Sequence, residues 1–479
     1  MSETKKLAQN AAIQIIGKTL ATILGVLTVA ILARHLGVEG YGQFTIALSF
    51  LSIFAVIVDF GLTLTTTQMI SEHQADEPKL LGNLLTLRIL SAIFFLALAP
   101  VVALIFPYDS IIRFSILIGA FSYLFGTTSQ MFVGVFQKRM LMSRVVIAEL
   151  ANRTIVLLGV ILAPILNFGV IGVIWLLVIG NGMQLILMLS QTRALVSFKP
   201  KLNLAIWKTI IARSWPIGAS IFFNLIYLRG DVVFLSIFRG NAETGLYGAA
   251  YKVVDVVAAI PVMYMGIALP LLVSAWSMSR ENRFKTYMQQ SFDFLSIVAV
   301  PIIFGSIAIG IPIMELVAGK EFTQSGQILM ILGPAAAIVF WNSLFGHAIV
   351  AINKQKVMTW GYLAVAILTV AGYLIFIPQY GMWAAAWFTV FSETLIGLLT
   401  FFVVWRVSKY FPSLKMLSKA ILSSIIMFLA LIALHDINIA MLLPLAVIIY
   451  ATSLTVLGGP KPKEIINLFL PEKPPISEP

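Results

Sequence analysis

The sequence predicts an all-α polytopic membrane protein. About 14 transmembrane helices are expected, as two pseudo-symmetric six-helix lobes plus two accessory helices, with both termini inside. Three observations carry this prediction: charge is scarce, apolar runs of membrane-crossing length follow one another, and short sequence echoes recur in order in the two halves.

Only 11% of the 479 residues are charged, 60% are hydrophobic, and the mean hydropathy is +0.98. Soluble globular chains carry about 25% charged residues, so this chain lacks the polar surface to cover itself in water. Lipid removes that need. The net charge of +12 invites a nucleic-acid reading, which fails because the basic residues sit in loops as interfacial anchors. The absence of cysteine excludes disulfides and thiolate metal sites.

The apolar runs fall at about 8–33, 41–70, 80–106, 111–136, 145–165, 169–191, 206–237, 244–277, 290–317, 326–350, 357–377, 382–405, 418–434 and 438–457. Each approaches or exceeds the ~20 helical residues that a ~30 Å hydrocarbon core requires. The first is too long for the apolar core of a cleavable signal peptide and reads as a retained span. The runs are continuous, so alternating β-barrel strands are not expected. With the N-terminus inside and sides alternating, 22 Lys and Arg fall on inside segments and 4 on outside ones. That is the bias that retention of positive charge produces. The inside loop "SEHQADEPK" (71–79) is acidic and fits poorly.

Three echoes link the halves. "LGVEGYGQF" (36–44) matches "RGNAETGLY" (239–247), pairing Gly37 with Gly240 and Gly42 with Gly245. "NFGVIGVIW" (167–175) matches "QYGMWAAAW" (379–387), and "FQKRMLM" (136–142) matches "INKQKVM" (352–358). Glycines and aromatics at helix ends recur by chance, but three echoes in order imply two copies of a six-span unit. An even number of spans gives a parallel repeat, the plan of alternating-access transporters with a site between the halves. The expected division is an N-lobe 1–196, a C-lobe 197–410, accessory spans 411–458 and a cytoplasmic tail 459–479.

The segment "KKLAQNAAIQIIGKTLATILGVLTVAILARHLGVEGYGQF" (5–44), above all "LARHLGVEGYGQF", resembles the start of the Wzx-type polysaccharide and O-antigen flippases of the MOP exporter superfamily. "GNAETGLYGAAYKV" (240–253) is similar to the second-half signature of that family. The resemblance implies a flippase carrying undecaprenyl-diphosphate-linked oligosaccharide from the cytoplasmic to the periplasmic leaflet of a prokaryotic inner membrane. It also implies glycosyltransferases and a polysaccharide polymerase as neighbours. A monomer is expected, with no nucleic-acid partner and no cofactor. Coupling to H+, Na+ or the membrane potential would bias direction.

Charges inside spans each cost roughly 2.5–3.5 kcal/mol at the helix centre and so mark function. The candidates for substrate diphosphate or sugar are Lys18, Arg88, Arg153, Arg229 and Lys252; those for coupling or ion pairing are Asp59, Glu149, Asp231 and Asp255. Lys18 has no acidic neighbour within its own span. It either lines a wet cavity that attracts phosphate or pairs with Asp59. Glu149 with Arg153 (i,i+4) and Lys252 with Asp255 (i,i+3) share helix faces. Each is either a self-neutralising pair or a cation handed to phosphate on demand. Arg229 and Asp231 point to different faces. Arg88 is either a phosphate contact or a snorkelling anchor. Gln14, Thr19, Thr22, Thr28, Asn152, Asn181, Gln184, Asn224, Asn342 and Ser343 either line a sugar path or hold helices together. Pro261, Pro270, Pro301 and Pro312 suggest bends in spans 8 and 9.

The chain contains no P-loop, no H-E-x-x-H and no G-x-S-x-G motif, so it does not read as an enzyme. Two rivals to a flippase remain open. One is a drug or cation antiporter of the same superfamily, which would want acidic residues to dominate its early spans. The other is a membrane polymerase or ligase, which would need large outside loops bearing catalytic Arg or His.

Overall fold

The computed structural model describes residues 3–71 and 76–460, and every regular element among them is helical. Most of the expected tail, including the short interfacial helix expected near 463–470, lies outside the described residues, as does the side chain of Asn224. By contact the chain forms two compact units, Met1–Gly248 with Leu374–Gly381, and Ala249–Tyr373 with Met382–Pro479.

The first unit contains α1 (Glu3–Asp59), α2 (Leu62–Ser71), α3 (Glu77–Ala103), α4 (Ser110–Gln130), α5 (Val133–Lys138), α6 (Met142–Leu162) and α7 (Val170–Arg193). It also takes in most of α8 (Leu204–Ser277). A straight helix of 57 residues would be about 85 Å long, far beyond a ~30 Å core. The sequence breaks α1 at Gly37 (φ 63°, ψ −177°) and α8 at Gly240 (φ 79°, ψ −165°). These are the paired glycines of the first echo, and they share a backbone conformation that only glycine adopts cheaply. Among the described residues 12 helical stretches are long and apolar enough to cross a membrane, and two of these contain the bends.

The duplicated loops also pack on each other. A methyl group added at Gly42 would overlap the Asn241 carbonyl, and one added at Gly245 would overlap the Val38 carbonyl. Residues 38 and 241, like 42 and 245, are 203 positions apart, so the contact has local two-fold character. Asn241 Nδ2 donates to Glu39 (2.8 Å) and to Asp109 (3.1 Å), and Gln43 donates to Asp109 (2.9 Å). Asp109 caps α4 through Ile112 N (2.8 Å).

Phe50, Leu51, Leu96 and Ile116 form one core of this unit, and Leu81, Phe132, Phe136 and Ile210 form a second. At the opposite helix ends Glu77 bridges to Lys138 and Arg139, each at 2.5 Å. The acidic loop that fitted poorly thus supplies the carboxylate that ties down two basic anchors.

The second unit contains α9 (Glu281–Ala318), α10 (Thr323–Ala351), most of α11 (Gln355–Tyr380), α12 (Met382–Ser408), α13 (Lys415–Ala433) and α14 (Ile439–Val456). Its main core joins Phe284, Phe294, Phe340, Leu344 and Val404, and a smaller one joins Met427, Leu431 and Tyr450. Helix α9 leaves helical geometry at Ile309 (φ −129°, ψ 20°). Pro312 follows three residues on and removes a helix hydrogen bond there. Helix α8 shows no such break at Pro261 or Pro270.

The third echo needs a new register. Met140 (φ 53°) and Asn353 (φ 56°) are the left-handed residues that end their helices, sealed by Leu141 N to Phe136 O (2.9 Å) and Lys354 N to Ile349 O (3.0 Å). The shared feature is the helix stop, not the basic residues aligned by sequence. Across both units large apolar side chains face outward, among them Phe94, Ile105, Trp360 and Val456. Such exposure suits lipid and would be penalised in water.

Candidate functional site

Two consecutive residues with positive φ, Phe60 (33°) and Gly61 (78°), stop α1 just after Asp59. The free carbonyls of a helix C-terminus attract cations. Arg88 of α3 occupies that end: Nη2 meets Asp59 Oδ1 at 2.6 Å and Thr63 Oγ1 at 2.7 Å, and Nη1 donates to the Val58 carbonyl at 3.3 Å. Thr63 also donates to Asp59. Arg88 is 1% exposed, against 23% for the Asp59 side chain. Arg88 is therefore neither a snorkelling anchor nor open to phosphate in this conformation, and Asp59 pairs with Arg88 rather than with Lys18.

The exposed side of Asp59 opens on a polar cavity of about 480 Å³ within the first unit. Ser52, Ser122, Tyr123, Thr127, Gln130 and Asn181 line it. Two of its wall residues, Ser122 and Asn181, belong to a connected amide network. Asn152 donates to Asn181 (3.0 Å) and Gln184 (2.7 Å), and Asn181 donates to Ser122 (2.7 Å). Tyr123 donates to the Leu48 carbonyl at 2.8 Å, and the Arg229 charge acts on the same hydroxyl. Arg229 thus comes near this cavity. Asp231 does not share its role: it is fully buried and accepts from Tyr247 Oη (2.5 Å) and Val232 N (2.7 Å).

Lys18 and Arg153 form a second constellation. Gly17 packs on Val146 and Gly25 on Arg153 Nη1, so α1 and α6 run side by side in the same direction. Lys18 and Gly25 are seven residues apart and share a face of α1. Arg153 lies over that face, 3.8 Å from the position of a Gly25 methyl. Both cations are exposed, and among the described residues no carboxylate pairs with either. Glu149 shares a helix face with Arg153 but makes no ion pair with it among the described residues. In the second unit Lys252 and Asp255 do pair, loosely, at 3.5 Å with the lysine half exposed.

Sequence reasoning undervalued two features. Thr63 completes the Asp59–Arg88 cluster, and its i+4 spacing from Asp59 was the available signal. Glu393 of α12 is 4% exposed and is held by Asn342; its partner lies 51 residues away, beyond any local pattern. A separate apolar cavity of about 500 Å³ lies in the second unit among α9, α10, α13 and α14, lined by residues such as Ile302, Gly305, Met427 and Val447.

Known proteins share this architecture. The succinoglycan biosynthesis transport protein ExoT of Rhizobium meliloti (strain 1021) is 22% identical over 371 residues, 76% of this chain and 73% of that protein. The fold matches the lipid II flippase MurJ in its inward closed conformation, with a TM-score of 0.76 at 17% identity over 92% of this chain and 97% of that one. An inward-facing multidrug resistance MATE family transporter of the MOP superfamily matches at a TM-score of 0.65 and 12% identity, over 82% and 98% of the two chains. The family model described as polysaccharide biosynthesis protein matches residues 7–276. With more than half its length under that model and a helical multi-pass membrane architecture, the chain belongs to the polysaccharide biosynthesis protein family.

Proposed function

We propose that the cargo is a polyprenyl-diphosphate-linked oligosaccharide, moved from the cytoplasmic to the outer leaflet of a prokaryotic cytoplasmic membrane by alternating access through a cationic cavity. The observation that carries this reading is the pair Lys18 and Arg153. Two exposed cations on adjacent apolar helices, Lys18 on α1 and Arg153 on α6, without a carboxylate partner among the described residues, are costly in a membrane and suit an anion that arrives and leaves. Arginine grips phosphate oxygens bidentately and lysine adds a point charge. The amide and hydroxyl groups of the Asp59 cavity match the hydroxyls of a sugar. The apolar cavity beside α13 and α14 has the chemistry to receive part of a hydrocarbon tail.

In this reading the chain crosses the membrane 14 times with both ends inside, each bent helix counting as two crossings. Lobes 1–196 and 197–410 alternate access, and spans 411–458 are accessory. A proton or sodium gradient, or the membrane potential, sets direction. Asp59 and Asp255 keep exposed carboxylate surface, whereas Asp231 is closed by Tyr247. The protein works as a monomer beside glycosyltransferases and a polymerase.

The test is reconstitution in liposomes with a fluorescent diphospho-polyprenyl glycan added on one side. Appearance of label on the far side supports the reading. If a cationic drug moves and the glycan does not, the antiporter reading takes its place; glycan chain growth without translocation would point to a polymerase.

A further inference from the structure

Glu393 is a carboxyl group almost wholly removed from solvent in the middle of a membrane helix. Asn342 of α10 donates through Nδ2 to its Oε2 (2.7 Å) and to its main-chain carbonyl (2.8 Å). No lysine, arginine or histidine among the described residues pairs with it. Asn342 Oδ1 and, on the next residue of α10, Ser343 Oγ are buried without a hydrogen-bond partner among the described residues.

Among the described residues the surroundings supply no compensating charge. From α11, Tyr362 lies close enough to interact with the carboxyl group, and Lys356 is at the first turn of that helix. From α10, His347 is one turn past Ser343, with Nδ1 2.6 Å from the Ser343 carbonyl. On α12 itself Arg406 lies 13 residues further on, about 20 Å along the axis. Helix α9, packed on α10, carries Asp293 bound by Gln289 and Glu315 bound by Thr323. A buried charge is costly unless it is paired and hydrogen-bonded.

The first unit contains a natural comparison. Glu393 is the twelfth residue of α12, and Asn181 is the twelfth residue of α7. Each bonds to the neighbouring helix of its own unit, Glu393 to Asn342 and Asn181 to Ser122. A neutral amide is therefore enough to join helices at this position. What the second unit adds is a group that ionises.

We propose that Glu393 is a proton-binding site of the second unit. It holds the proton while its surroundings are closed and releases it when water enters, so that proton movement accompanies cargo movement. The exchange, carboxylic acid to carboxylate plus proton, needs no other reactant. Asn342 turns its amide hydrogens, not its oxygen, toward the carboxyl group. A metal cation there would meet the positive end of the amide dipole, which favours a proton as the ligand. The proposal deepens the transport reading by assigning its coupling ion.

Two measurements test it on the full-length protein. Infrared difference spectra titrated over a wide pH range, without cargo, should contain a carboxylic-acid carbonyl band that Glu393→Gln removes. Persistence of every such band in the variant overturns the proposal. In proteoliposomes, transport by the parent should quicken under an imposed proton gradient, whereas Glu393→Gln should move cargo at equal rates with and without it. Retained gradient response in the variant also overturns it. If Glu393→Gln does not fold, Glu393→Asn reproduces the residue of the first unit, and Asn342→Ser, which keeps the acid, should shift the band titration. An unshifted titration counts against the site. The infrared result stands whatever the cargo, so failure of the flippase reading is distinguishable from failure of the proton site.

Discussion

A methyl group added at Gly245 would lie 2.9 Å from the backbone nitrogen of Gly42 and 3.1 Å from its Cα. The two halves of the duplicated loop touch main chain to main chain at these glycines, and neither backbone can yield as a flexible side chain would.

Gly245→Ala and Gly42→Ala are therefore expected to destabilise the protein by at least the 1–3 kcal/mol typical of overpacking. Gly169→Ala meets nothing within 4 Å and should be nearly neutral. Gly240→Ala meets no atom but retains φ 79° and ψ −165°, a conformation essentially confined to glycine, so it should cost about 1–3 kcal/mol from the backbone alone. Thermal unfolding of the four variants in one detergent should reproduce that order. Equal melting temperatures for Gly245→Ala and Gly169→Ala would contradict the contact.

Asp59 and Arg88 are unequal partners. Asp59→Asn leaves a fully buried guanidinium that cannot lose its charge, and breaking a buried pair costs about 3–5 kcal/mol. Arg88→Met leaves a carboxylate that faces the polar cavity and can be solvated there. The first substitution should lower the melting temperature more than the second. The double variant should recover part of the loss, measured as a double-mutant cycle.

On the proposed reading of the cargo as a diphosphate-linked glycan, Lys18→Ala and Arg153→Ala should each weaken its uptake by roughly 10–100-fold in apparent affinity, the worth of about 1.5–3 kcal/mol for a charge-assisted hydrogen bond. Lys18→Arg should retain most activity. Concentration dependence in the liposome assay measures this. Full activity in both alanine variants would remove these residues from the cargo path.

Tyr108 lies in the loop before α4, 5% exposed, with its hydroxyl 2.9 Å from Ser236 Oγ. Burial pushes its phenol from 10.0 up to about 12. The folded state therefore keeps this proton where the unfolded state has lost it, so its contribution is present below about pH 10 and disappears as pH rises to about 12. Tyr108→Phe should cost about 1 kcal/mol near neutral pH and flatten the fall in stability across that alkaline window. Melting curves at a series of alkaline pH values provide the check.

The sequence alone settled what depends on composition and neighbours along the chain. Scarce charge and long apolar runs required helices in lipid, since only a helix satisfies its backbone internally there. The repeated glycines at 37 and 240, and at 42 and 245, marked a duplicated segment; that the first pair bends continuous helices and the second pair packs closely emerged only from the structure. Tertiary structure decided which charges meet. Asp59 finds Arg88, 29 residues on, rather than Lys18; Glu149 stays apart from Arg153 despite ideal spacing; Glu393 is closed in by Asn342 from another helix. Helical periodicity fixes only the face on which a side chain stands. Whether that face meets lipid, water or an opposing dipole depends on how distant helices pack, and electrostatic energy in a low dielectric follows that distance.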